Sequence, residues 1–302
     1  EMPVIFIEDE LIKKGASSFS VQYTFSVREY TGSLALYCEA EHCKITVNGC
    51  PVERSAEWLM DRCIKKYDIS SVYREGVNTV TVFYDKVLSQ PVGIDSDQET
   101  VRNIFVYNAE IENIYLCGDF SVRVSGEIAD CGYYLKVENA AFEIGSPEEC
   151  KAAESSLTAQ GLWFYRGGVD LQYGRCVSEK GKKVYLSLRE MDYAVACVFA
   201  DGREIGRLLT RSDHLDITRY RNSRIALRII LSNRNTLGPM HHVLGEPNFV
   251  GERVFRGVHG FEDELMPSRF TQNTWTDAYN FVKNPIPELC LEYADPCGGE
   301  DE

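Results

Sequence analysis

The segment Ile45-Thr46-Val47-Asn48-Gly49 has a counterpart of the same kind in the second half of the chain, and the pair indicates the architecture. Apolar and polar residues alternate along the first segment, as in a half-buried β-strand, and it ends in Asn-Gly. Asn-Gly supplies the positive φ angles that a tight type I′ hairpin needs. The second half of the chain has a matching segment, Val198-Phe199-Ala200-Asp201-Gly202. The sequence therefore predicts the same hairpin once in each half.

The similarity between the halves extends beyond the hairpins. Each hairpin follows two alternating segments and precedes a short turn and a returning strand. The turn is Asp68-Ile69-Ser70 in the first half and Asp216-Ile217-Thr218 in the second, and 148 residues separate the two. In such a turn the short polar side chains can hydrogen-bond the backbone while the isoleucine enters the core. Two copies of one fold are predicted.

Helical periodicity is weak throughout the sequence. The two best helix candidates are short, at residues 56–66 and 147–155, the second with Ser146 as its N-cap. Alternating segments with closely spaced turn signals favour a sandwich or jelly roll over βαβ units. The sequence predicts an all-β protein of two jelly-roll sandwiches in tandem, at residues 1–145 and 146–302, with a polar, acidic boundary within residues 141–158.

Composition excludes some classes of function. The net charge of −14 over 302 residues, without a Lys/Arg stripe, is unfavourable for binding nucleic acid. No apolar run reaches the roughly 18 residues that a membrane span needs. The eleven cysteines are odd in number and form no CxxC pair, so a reducing compartment, the cytoplasm, is expected and a structural zinc site is not.

Four further segments resemble a known family when they are taken with the hairpins and turns. They are residues 111–120, 160–165, 235–242 and 275–282. The order of elements resembles the galactose-binding-like jelly-roll domains of glycoside hydrolases of the β-galactosidase and rhamnosidase type. The whole set resembles the C-terminal region of large bacterial glycoside-hydrolase-like proteins. The resemblance implies a non-catalytic accessory region without a cofactor, a catalytic domain upstream of this chain, and contact with carbohydrate as a further role.

Three candidate ligand-binding residues alternate near the C-terminus: Trp275, Asp277 and Tyr279. On a strand all three lie on one face. Aromatic rings stack on the C–H surface of a sugar, and a carboxylate accepts hydrogen bonds from its hydroxyl groups. The alternative interpretation is a terminal strand whose aromatic residues complete a core.

Trp163 and Tyr165 form a similar aromatic group, followed by Gly167-Gly168, which permits close approach of a ligand or another backbone. A strand entering the second sandwich explains the same residues without a ligand.

One of His241 and His242 could act with Glu246 as a metal-binding or acid–base pair. No third ligand follows at a fixed spacing, and nearby glycines and prolines indicate a loop, so the alternative is a hydrogen-bonded structural loop. The sequence predicts no metal site.

Catalytic machinery is not evident in the sequence. There is no nucleophile elbow, P-loop, dinucleotide fingerprint or HExxH motif. The acidic run Glu262-Asp263-Glu264 and the pair Asp95 and Asp97 could supply the two carboxylates of a glycosidase, but a charge run is usually a solvated loop. Asp95 and Asp97 also offer oxygen ligands for calcium, although their spacing is not that of an EF-hand. No catalytic residue is predicted. Three hypotheses stay open: an accessory region, a complete glycoside hydrolase that uses loop carboxylates, and a protein–protein interaction module.

Overall fold

The computed structural model describes residues 18–39, 43–85, 111, 113–132, 134–149, 156–175, 181–189, 194–238, 240–242 and 275–295. Within these ranges the chain forms nineteen β-strands and two single-turn 3₁₀ helices, and no α-helix. The predicted all-β class is confirmed. No helix in the same ranges is long and apolar enough to cross a membrane.

The chain folds as two compact units. Unit 1 takes its described residues from Glu1–Val124 and Ala141–Glu148, and unit 2 takes its own from Ser125–Ala140, Glu149–Val250 and Thr274–Glu302. The predicted halves differ from this division mainly in residues 125–140, which belong to unit 2. That each unit is a jelly roll stays a prediction.

Unit 1 is built on two sheets. Its strands are β1 (Ser18–Val27), β2 (Leu34–Cys38), β3 (Cys43–Val47), β4 (Cys50–Pro51), β5 (Arg54–Leu59), β6 (Asp61–Asp68), β7 (Gly76–Asp85), β8 (Tyr115–Gly118), β9 (Ser121–Asp130) and β10 (Tyr134–Gly145). The last two, β9 and β10, contribute residues to both units. One sheet has the order β1-β7-β3-β4, with the end of β10 parallel to β1, and the other has the order β5-β6-β2-β8. Their inner faces share one apolar core, which includes Leu36 of β2 and Val82 of β7, both fully buried.

Unit 2 has its own apolar core. Its strands are β11 (Gly167–Arg175), β12 (Lys183–Leu188), β13 (Val195–Ala200), β14 (Arg203–Leu208), β15 (Leu215–Asp216), β16 (Arg224–Leu231), β17 (Met240–His242), β18 (Trp275–Val282) and β19 (Leu289–Ala294), with 3₁₀ turns at Thr158–Gln160 and Thr218–Tyr220. Two sheets, β11-β16-β13-β14 and β15-β12-β19, face the core. Strand β18 pairs with β17 and with the first residues of β10.

The predicted helix at residues 56–66 is wrong. These residues form β5, a turn at Met60 with a φ of 60°, and β6. Because β6 pairs with β2 along its other edge, ladder hydrogen bonds of the sheet outweigh local helix propensity. In the second predicted helix, residues 147–149 are not helical and residues 150–155 lie outside the described part.

The two predicted hairpins are confirmed. Asn48 and Gly49 have φ angles of 52° and 83°, and Asp201 and Gly202 have φ angles of 47° and 84°. Two positive φ angles in a row are the signature of a type I′ turn, whose twist matches that of the flanking strands.

The Asp-Ile-Ser/Thr turns also form as predicted. The Ser70 amide donates to Asp68 Oδ1 at 2.9 Å, and the Thr218 amide donates to Asp216 Oδ1 at the same distance. The isoleucine in the middle of each turn, Ile69 or Ile217, is fully buried. The turns therefore anchor a core side chain with a local polar hydrogen bond.

Each turn is also joined to a strand of its own unit. The Leu34 amide donates to Ser70 Oγ at 3.1 Å, and the Val184 amide donates to Thr218 Oγ1 at 2.9 Å. The similarity between the halves therefore extends to individual hydrogen bonds.

Candidate functional site

A groove of about 690 Å³ opens on unit 1. Outward-facing residues of the β5-β6-β2-β8 sheet line it, among them Ala35 and Tyr37 of β2 and Cys117 of β8. The loop of residues 30–33 and the segments at residues 118–119 and 146–147 border it. Grooves of this size accommodate small ligands.

Strand register places the lining side chains on one face. Ala35 lies opposite Asp68 on one side and opposite Cys117 on the other. Tyr37 lies opposite Lys66. Directly opposed residues of antiparallel strands have their Cβ atoms about 5 Å apart on the same face. The sheet thus brings an aromatic ring, an ammonium and a carboxylate together from neighbouring strands.

Local hydrogen bonds favour the charged forms of two lining residues. Lys66 Nζ lies 2.8 Å from Glu57 Oε2, and this hydrogen bond raises the pKa of Lys66. The hydroxyl and the amide of Ser70 donate to Asp68 Oδ1, and they lower the pKa of that carboxyl group. Burial raises the pKa of Tyr37, so its phenol is neutral. Near neutral pH these three side chains present an ammonium, a carboxylate and a neutral aromatic hydroxyl to the groove.

The loop on one side of the groove is held by two tyrosines. Tyr30 Oη donates to the Ser33 carbonyl at 2.7 Å, and Tyr73 Oη donates to the Gly32 carbonyl at 2.8 Å. A Cβ at Gly32 would lie 2.6 Å from Tyr30 Oη, and one at Gly118 would lie 2.7 Å from the Ser33 carbonyl oxygen. A side chain at Gly118 would collide with the backbone, and one at Gly32 would displace the Tyr30 ring, so this wall of the groove is closely packed.

The segment after β10, which also borders the groove, is held by ionic contacts and hydrogen bonds. Arg123 lies 3.1 Å from a carboxylate oxygen of Glu29 and 3.4 Å from one of Glu148. The Glu148 amide donates to Ser121 Oγ at 2.9 Å, and Ser146 Oγ donates to the Glu29 carbonyl. Both borders are therefore organised before any ligand arrives, which reduces the entropy lost on binding.

Unit 2 has a large side chain at the equivalent place. Tyr185 of β12 lies opposite Asp216 of β15 and Glu292 of β19, just as Ala35 of β2 lies between β6 and β8 in unit 1. The small side chain of Ala35 is one local reason for the space in unit 1.

The structure brings together two of the residues predicted from the sequence. Strands β17 and β18 place the rings of His241 and Tyr279 with their centroids 4.4 Å apart, edge to face. His241 Nδ1 lies 3.1 Å from the Thr276 carbonyl oxygen. Asp277 is exposed on the same strand. His241 and Tyr279 thus form a second polar–aromatic group, in unit 2, and Asp277 lies two residues before Tyr279 on the same strand.

Other predicted residues lie wholly or partly outside the described part. His242 and Trp275 pair in register, but their side chains are not described. Glu246 is outside the described ranges, as are Asp95, Asp97 and the acidic run at residues 262–264. Among the described residues, no group of three or more His, Cys, Asp or Glu side chains could hold a metal ion.

Trp163 and Tyr165 have opposite environments. Trp163 is only 2% exposed, and its ring centroid lies 5.0 Å from that of Phe281. Its ring has no exposed face for a sugar, so we leave Trp163 out of the candidate site. Tyr165 is 40% exposed, and its hydroxyl donates to the Gly168 carbonyl at 3.0 Å.

Sequence reasoning did not identify the groove. The sequence pattern predicts only a turn at Asp68, and it indicates no site role for Ala35, Tyr37 or Lys66. The available signal was the repeat, in which alanine in one copy corresponds to Tyr185 in the other. The difference between alanine and tyrosine indicates a groove only once the strand register shows which residues lie opposite Ala35 and Tyr185.

Comparison with known proteins assigns no family. No family model matches the chain. No curated protein sequence matches it.

Several solved structures align with the chain at low scores. They include a β-glucuronidase from Ruminococcus gnavus (13% identity, 72% of this chain and 33% of that chain, TM-score 0.25), a β-D-mannosidase from Dictyoglomus thermophilum (11%, 76% and 27%, 0.25), and an α-L-rhamnosidase from Streptomyces avermitilis (11%, 93% and 26%, 0.29). All three are glycoside hydrolases, and this chain spans about a third of their length or less.

Proposed function

We propose that this chain is a non-catalytic accessory region of a larger glycoside-hydrolase-like protein, and that the groove on unit 1 contacts carbohydrate. The observation that carries the second part is the groove itself: a preformed space that combines Tyr37, Asp68 and several hydroxyl groups. The first part rests on the resemblance of the hairpins, turns and C-terminal segments to galactose-binding-like jelly-roll domains.

The chemistry of the lining suits a hydroxylated ring better than an apolar ligand. A pyranose presents a C–H face to an aromatic ring and hydroxyl groups at its edge. Tyr37 supplies the ring, and the Asp68 carboxylate accepts hydrogen bonds. Thr31, Ser33 and Ser146 add hydroxyl groups that donate or accept.

The decisive variant is Ala35→Tyr, which places in the groove the residue that unit 2 has at the equivalent position. We expect the variant to fold, because Tyr185 occupies the equivalent register position in unit 2, and to bind glycan about tenfold more weakly or worse. Ala56→Tyr is the matched control, since Ala56 is exposed on β5 and does not line the groove. A glycan array identifies the ligand, and isothermal titration calorimetry measures the affinities.

Other outcomes separate the alternatives. If glycan binding survives Ala35→Tyr and is lost in Asp277→Ala, the sugar contact lies on β18 instead. If no glycan on the array binds, the carbohydrate role fails and a scaffold role remains. Turnover of aryl glycosides by this chain alone, lost in Glu246→Gln, would favour a complete hydrolase.

A further inference from the structure

We infer that the groove on unit 1 selects neutral over acidic sugars, and that the carboxylates of Asp68 and Asp119 are the selecting groups. This inference rests on the proposed carbohydrate contact and adds the charge class of the ligand. It follows from how the charged side chains around the groove are paired.

The positive charge in the groove is already balanced. Lys66 is the one basic residue among the described lining residues. Its ammonium lies 2.8 Å from the Glu57 carboxylate, which does not line the groove and holds Lys66 from the side. A sugar carboxylate would have to compete with Glu57 for this ammonium, so Lys66 is a poor anchor for an acidic ligand.

The negative charges outnumber this one cation. Lys66 lies within electrostatic range of both Glu57 and Asp68. Asp119 adds a third carboxylate. Asp68 accepts both of its hydrogen bonds, from the amide and hydroxyl of Ser70, on Oδ1, and Oδ2 takes part in neither. Both donors are neutral groups. Asp119 follows Gly118 on the border of the groove and is exposed. The two carboxylates can accept hydrogen bonds from sugar hydroxyl groups but repel a carboxylate.

The repulsion is large enough to measure. Two like charges about 6–8 Å apart at a protein surface repel with an energy that weakens binding by roughly tenfold at low salt. Salt reduces this repulsion, because the Debye length falls below the charge separation at high ionic strength. The net charge of −14 adds to the effect at longer range.

The test uses oligosaccharide pairs that differ only at C6. The probes are galactobiose with digalacturonic acid, and the corresponding glucose/glucuronic acid and mannose/mannuronic acid pairs. Isothermal titration calorimetry with the full chain should show the neutral member of a binding pair about tenfold tighter at roughly 20 mM salt. At roughly 500 mM salt the two affinities should converge.

Two variants assign the effect to the groove. In Asp68→Asn/Asp119→Asn the neutral and acidic members should bind within about threefold of each other. Asp61→Asn is the control, because Asp61 also accepts a backbone amide two residues ahead but does not line the groove. It should keep the tenfold preference.

The outcomes separate the inference from the proposed function. An acidic member that binds as tightly as its neutral partner, or more tightly, overturns the charge selection and leaves the carbohydrate contact standing. A preference that persists in the double variant shows that other groups select, and it overturns the inference as well. If no member of any pair binds, the carbohydrate contact fails and the inference fails with it.

Discussion

Asn48 and Asp201 make the same backbone contact in two different units. Asn48 Oδ1 accepts the amide hydrogen of Thr79 at 3.1 Å, and Asp201 Oδ1 accepts that of Arg224 at 2.9 Å. Both residues have left-handed backbones, with φ angles of 52° and 47°. In each unit, therefore, one side chain joins the hairpin turn to the strand that returns beside it.

Asn48 makes further hydrogen bonds through its side-chain amide group. Asn48 Nδ2 also donates to the Val72 carbonyl at 3.0 Å and to Asn78 Oδ1 at 2.8 Å, and Asn78 is fully buried. We predict that Asn48→Ala lowers the free energy of unfolding by about 2–4 kcal/mol, through lost hydrogen bonds and alanine strain at positive φ. Asp201→Ala should cost less.

Urea unfolding measures both effects. Asn48→Gly is the control, because glycine tolerates the positive φ but lacks the side chain, so it should recover part of the loss. Equal losses for Asn48→Ala and Asp201→Ala would contradict the prediction.

The second prediction concerns acid. Hydrogen bonds from the Ser70 hydroxyl and amide lower the folded-state pKa of Asp68, and those from Thr218 lower the pKa of Asp216. A lowered pKa stabilises the fold fully above the ordinary value of about 4, and this contribution is lost as the pH falls through the folded-state pKa. The melting temperature should therefore fall as the pH drops below about 5 and through the folded-state pKa values, and Ser70→Ala should make that fall shallower.

Thermal unfolding over this pH range, with NMR titration of the Asp68 carboxyl group, measures the effect. Ser71→Ala is the control, because Ser71 is the next residue in the same turn but donates nothing to Asp68. An unchanged Asp68 pKa in Ser70→Ala would show that the hydroxyl is not the cause.

The third prediction compares the effect on stability of replacing a buried tryptophan, Trp163, and an exposed one, Trp58. Trp163 is 2% exposed and packs on Phe281, whereas Trp58 is 52% exposed. Trp163→Phe should lower the free energy of unfolding by about 1–3 kcal/mol and leave glycan affinity unchanged. Trp58→Phe should change stability by less than about 0.5 kcal/mol.

Chemical unfolding and calorimetric titration of the same variants decide the matter. Loss of glycan binding in Trp163→Phe at unchanged stability would place Trp163 in a ligand site after all.

Much of the fold was predictable from local chemistry. Asn48-Gly49 forms its predicted turn because its conformation depends on two adjacent residues that accept positive φ. Asp68 and Ser70 form their turn because a short carboxylate reaches an amide two residues ahead without help from the rest of the chain. Patterns of this kind are decided within a few residues.

Other features depend on residues that are distant in sequence. Residues 56–66 form two strands because β2 offers β6 a hydrogen-bonding edge. The sequence of residues 56–66 by itself gives no information about that edge. Trp163 is buried because Phe281, more than a hundred residues later in the chain, packs on it. The aromatic pattern around Trp163 is the same for a core ring and a binding ring.

The sequence by itself determined the all-β class, the two kinds of turn and their repetition, because backbone conformation at Asn48 or Asp201 is set by neighbouring residues. Only the tertiary structure decided where a ligand fits. Ala35, Asp68 and Cys117 come from three strands and meet through cross-strand register. A groove is space between residues that are remote in sequence, and local patterns carry no information about it.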